Sequence, residues 1–141
     1  MEHSQYQSAV YETSILSLKA QDVPINEAII GDAIFHDQYD NVTIHQIHKT
    51  PITNKMLLYE IPSIFSETVQ VTMNINKLYA TKNCIIMDYH NKKASDISSR
   101  VVLVSSGYLY GLVLVRLFED ELVVVDDGYF VNGIKVKADV A

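Results

Sequence analysis

A single cysteine and no tryptophan occur among the 141 residues. One thiol excludes a disulfide within the chain, and Cys84 lies in the apolar run CIIMD, where a buried structural thiol is expected. It has no basic neighbour in sequence to activate it. No run approaches the roughly 18 apolar residues of a membrane span. The first residues, MEHSQYQSAVYETS, lack the basic start and apolar core of a signal peptide. The expectation is a cytoplasmic protein, or a virion component assembled in a cytosol, with no membrane partner.

Basic residues are scarce in the first half. Residues 1–70 hold Lys19, Lys49 and Lys55 against nine carboxylates, whereas residues 71–141 balance eight against eight, so the whole net charge of −6 belongs to the first half. Phosphate recognition needs clustered Lys and Arg, which disfavours direct nucleic-acid binding. An acidic face toward a basic partner is permitted, as in an immunity protein that blocks a basic toxin, and a solubilising surface is the plainer alternative.

Nucleotide and hydrolase motifs are missing too. There is no G-x-S-x-G, no P-loop and no G-x-G-x-x-G. The stretch HQIH spaces His45 and His48 three apart, but the surrounding residues alternate as in a strand, which sends the two rings to opposite faces. His36 and His90 lie near Asp37 and Asp88 without ligand spacing. No catalytic residue, cofactor or metal is assigned, and the chain is not expected to be an enzyme.

What is present is apolar sequence, 48% of the chain and spread along its length, enough for one compact domain over 1–141 with a flexible start at 1–7. AVYETSILSLKA mixes helical and alternating patterns. VPINEAIIGDAIFHDQ has helical spacing after Pro24, which predicts a short helix that Gly31 weakens. From residue 41 the period changes to two, giving strands at NVTIHQI and KMLLYEI, with the clearest alternation in ETVQVTMNI. NCIIMDY, RVVLVS, YLYGLVLVRLF, ELVVVD and IKVKADV follow, with HNKKASDISS as a polar loop. SSG, FEDE, DDG and VNG punctuate these runs, and Asn-Gly is a strong hairpin signal. The fold class expected is mainly β: a twisted antiparallel sheet or partly closed barrel, with one or two short helices in the first third. LVLVRLF and LVVV are apolar on both faces and are expected to be covered on both sides, by this chain or by another copy.

Candidate interaction residues cluster late in the chain. Tyr108 and Tyr110 share a strand face and would offer an adhesive surface or a packed core edge. Arg116 interrupts an apolar run. The acidic groups Glu119–Glu121 and Asp126–Asp127, among them Glu119, Asp120, Asp126 and Asp127, fit turn chemistry and would keep an apolar hairpin from pairing edge to edge.

From Val69 onward the order VQVTMNI, CIIMD, SSRVVLVS, YLYGLVLVRLF, ELVVVDDGYF resembles the C-terminal domain of LexA-type repressors, UmuD and phage repressors, over about half the chain. That family has a nucleophilic serine before Met and a general-base lysine before Arg. Here Thr72 precedes Met73 and Val115 precedes Arg116, and valine accepts no proton. The resemblance therefore implies a scaffold without self-cleavage, with Arg116 a structural charge that could pair with Glu119 or Asp120. The functional expectation is a non-catalytic interaction or assembly module, a phage or bacterial regulator acting by protein contact or as a homo-oligomer. A virion decoration or tail component is the structural alternative.

Overall fold

The structure, a computed structural model, describes residues 8–62, 77–126 and 128–138. Its strands in chain order are β1 (Val10–Tyr11), β2 (Ile15–Ser17), β3 (Asp22–Pro24), β4 (Thr43–Pro51), β5 (Met56–Glu60), β6 (Tyr79–Ala80), β7 (Ile85–Ile86), β8 (Lys92–Lys93), β9 (Arg100–Val104), β10 (Tyr108–Phe118), β11 (Glu121–Val124), β12 (Tyr129–Val131) and β13 (Ile134–Val136). One helical turn, α1 (Ala94–Ile97), follows β8. The chain is mainly β, as its alternating patterns imply.

The described strands form two antiparallel sheets and no closed barrel. In the larger sheet the long strand β10 pairs with β4 along one side. Along its other side it pairs with β1 near its start and with β11 near its end, because Tyr110 faces both Val10 and Lys49 while Val115 faces both Thr43 and Val124. From β1 the sheet continues through β6 and β5 to β9. The smaller sheet runs β3-β2-β12-β13-β7-β8. Between the sheets lies the main core, where Val10, Ala80, Tyr110, Leu112 and Leu114 meet Leu16, Ile86, Tyr129, Val131, Ile134 and Val136. Strand alternation sends Ala9, Leu58 and Leu109 to the far face of the larger sheet, where they form a second cluster with Ile52. Cys84 is buried in the main core, and burial pushes its thiol pKa far up, so it stays protonated.

Several expectations need correction. The helix predicted over VPINEAIIGDAIFHDQ shrinks to one 3-10 turn at Ile25–Glu27. Ala28 is already extended and Gly31 adopts φ +99°. The following backbone bonds to the start of β4 instead: Gly31 donates to the Ile44 carbonyl, and Ile34 donates to Val42. Tertiary pairing overrides the helical spacing, burying Ile25 and Ile34 while leaving Ile29 and Ile30 exposed. AVYETSILSLKA becomes β1 and β2. Strands adjacent in sequence pair antiparallel at β2–β3, β5–β6, β7–β8, β10–β11 and β12–β13, but not at β9 and β10, which pair with different strands. NCIIMDY is a strand only at β7 and then a 3-10 turn, Met87–Tyr89. The polar loop HNKKASDISS contains β8 and α1. The strand expected at ETVQVTMNI and the flexible start at 1–7 fall outside the described residues.

Candidate interaction surface

Tight turns position the hairpin that carries most of the candidate residues. Phe118 pairs with Glu121, leaving the two-residue loop Glu119-Asp120 with φ of 51° and 66°. Two positive φ angles define the type I′ turn, whose twist matches that of paired strands. The same geometry recurs at Asn132-Gly133, with φ of 52° and 78°, where Asn-Gly is the usual solution. At Glu119 and Asp120 neither residue is Asn or Gly, so the acidic tip accepts backbone strain that an Asn-Gly pair would avoid.

Beyond Val115 the hairpin leaves the cover of the main fold. Leu109 to Val115 are buried, whereas Leu117, Phe118, Leu122, Val123 and Val124 are exposed, Leu122 to 63%. Cover by this chain on both sides therefore extends over the first part of β10 and does not reach β11, where the expected cover would have to come from another copy. In register, Leu117, Leu122 and Val124 share one face, while Arg116, Phe118 and Val123 share the other.

Arg116 belongs to an aromatic stack. Its guanidinium lies 4.0 Å from the Tyr39 ring centroid and 4.9 Å from that of Phe118. Tyr39 stacks in turn on His36, 5.2 Å away. His36 is fixed by its turn, because Nδ1 accepts the backbone N–H groups of Gln38 and Tyr39 at 3.1 and 3.2 Å. Arg116 therefore braces the base of the hairpin by cation–π contact. Among the described residues it makes no ion pair with Glu119 or Asp120. Nothing in the sequence pattern links Tyr39 to Arg116, since the contact spans 77 positions of the chain.

The remaining candidates divide. Tyr108 is exposed at the start of β10, with the Lys49 ammonium 4.4 Å from its ring. Tyr110, on the same strand face, is 3% exposed and belongs to the main core. Burial, with smaller contributions from Glu12 and Tyr108, raises its pKa. Asp126 is exposed just after the buried Val125, and Asp127 lies outside the described residues. The hairpin thus joins Arg116, Glu119 and Asp120, with Asp126 at its base, while Tyr108 stands at the opposite end of β10.

The aspartates beside the histidines are engaged by Lys135. Asp88 accepts the Lys135 backbone N–H at 2.7 Å. Asp37 takes the Lys135 ammonium at 2.8 and 3.0 Å. That hydrogen bond holds the Asp37 carboxyl below its ordinary pKa, against a smaller opposing effect of burial. Asp37 borders a cavity of about 390 Å³ lined by Ser17, Phe35, His36, Phe130 and Gly133. The cavity's carboxylate is already engaged by Lys135. Among the described residues no group of three or more His, Cys, Asp or Glu is placed to hold a metal ion, and no helix is long and apolar enough to cross a membrane.

No protein-family model matches the chain, and neither the curated proteins nor the solved structures include a significant match to it.

Proposed function

We propose that the chain is a non-catalytic protein-interaction module whose docking element is the β10–β11 hairpin. One observation carries this reading: Leu117, Leu122 and Val124 stand exposed together on one face of a hairpin that is braced at its base by the Arg116–Tyr39 stack. A contiguous apolar surface on an ordered element is costly to leave in water and marks an association site. The acidic tip selects the partner, favouring an apolar groove with a basic rim, and long-range attraction would speed encounter at low salt. Val115 supports the absence of catalysis on this strand: it is buried beside Arg116 and carries no proton acceptor. A regulator working by contact is the biological role that this reading suggests.

The test is a photo-crosslinking residue placed at Leu122, with one at the exposed Lys19 as control. The reading expects a discrete crosslinked protein from Leu122 alone, abolished when Leu117→Lys is added and weakened by raised salt. A crosslinking profile that is the same at both positions, or that Leu117→Lys leaves unchanged, would overturn it.

A further inference from the structure

A strand at the end of a sheet offers open N–H and C=O groups, and proteins blunt such edges with charge, proline or bulges. In the smaller sheet, β3 carries Asp22 and Pro24, and β8 consists of Lys92 and Lys93. In the larger sheet, β4 carries Lys49 and Pro51 and inserts His45 as an extra residue between the pairs Leu114–Ile44 and Val113–Gln46. β11 is set between the acidic tip and Asp126. Among the described edges β9 alone is undefended. It presents four consecutive aliphatic residues, Val101 to Val104, and one charge, Arg100, which Glu60 holds at 3.6 Å.

The sheet face at this edge is also uncovered. Val101 pairs with Tyr59 and Leu103 with Leu57, on the face where Tyr59 and Ala80 join the main core. That face continues to β9 with Leu57, Val101 and Leu103 exposed, Leu103 to 60%.

We propose that β9 pairs antiparallel with β9 of a second copy, about a two-fold axis through Val102, so that the larger sheet runs on across the dimer. The charges at this edge permit the pairing. A two-fold at Val102 sets Val101 against Leu103 of the second copy and places each Arg100 beside the other copy's Val104, so no like charges meet. The same operation on β11, centred on Val123, sets Asp120 against Asp126 of the second copy, and like charges directly opposite repel. β11 thus meets a like-charge clash in that register, while β9 pairs with its own copy without one. The contact is isologous and closes at two chains, and it leaves both hairpins free, so this inference stands independently of the hairpin reading.

The test is Val102→Cys, with the native Cys84 buried. Residues directly opposite on antiparallel strands approach within about 4.5–5.5 Å between Cα atoms, inside disulfide range. Under mild oxidation Val102→Cys is expected to give a disulfide-linked dimer, while Leu122→Cys remains a single chain. Adding Val101→Lys and Leu103→Lys, on side chains that already face water, should lower the crosslinked yield about tenfold or more. Far-UV circular dichroism checks that each variant is folded. An uncrosslinked Val102→Cys, equal crosslinking of Leu122→Cys, or a yield unmoved by the two lysines would each overturn the pairing.

Discussion

Replacing Asp37 by asparagine tests the polar link between the 36–39 turn and the smaller sheet. Lys135 is 6% exposed on β13, with its ammonium 2.8 Å from Asp37, whose side chain is 48% exposed. Breaking a fully buried pair by removing one partner costs about 3–5 kcal/mol, because a charge is left uncompensated. Here about half of the Asp37 side chain is exposed, which screens the pair, so the expected loss for Asp37→Asn is about 1–2 kcal/mol. Urea unfolding followed by far-UV circular dichroism at pH 7 would measure it. The pH dependence supplies a second check. The native carboxyl pKa lies below its unfolded value of about 3.8–3.9. Its contribution is then complete well above that value and is lost as pH falls through the depressed native one. The stability gap between wild type and Asp37→Asn should be constant near neutrality and close on acidification below about pH 4. No difference at pH 7, or a gap that widens as pH falls, would refute the reasoning.

Two further outcomes follow from backbone geometry. A Cβ at Gly128 would lie 1.8 Å from the Val136 carbonyl oxygen and 2.6 Å from the Met87 sulfur; Gly128→Ala should therefore lower stability by about 3 kcal/mol or more, seen as a reduced urea midpoint. Combining Glu119→Asn with Asp120→Gly, residues suited to the positive φ angles of the tip, should raise stability by about 1–2 kcal/mol in the same assay; a neutral or destabilising result would mean that the turn is not strained.

Alternation and turn chemistry made much of the fold legible in the sequence. YLYGLVLVRLF became a strand with the expected limits, RVVLVS one that stops a residue short at Val104, and Asn132-Gly133 formed the hairpin that its residues encode, because those signals are local. The helix after Pro24 was misread for the opposite reason. Its spacing is helical, yet Gly31 finds a backbone partner in Ile44 of β4 and Ile34 one in Val42 just before it, and no local pattern reports partners that far along the chain. Exposure of β11 was equally hidden, since ELVV reads the same whether a second layer covers it or not. Of the site, the acidic tip and Arg116 were visible as residues. The Tyr39 ring that holds Arg116 was not, and neither was the undefended edge at β9, which shows only when every other edge is compared with it.

The most direct measurement is the mass of the protein in solution by light scattering across a concentration series. The edge left open at β9 is the basis for reading this chain as one that pairs with its own copy. The account predicts a mass that rises with concentration to twice the 15.9 kDa of one chain and that Val101→Lys with Leu103→Lys returns to a single chain. A single-chain mass at every concentration, or a larger assembly indifferent to those lysines, would contradict it.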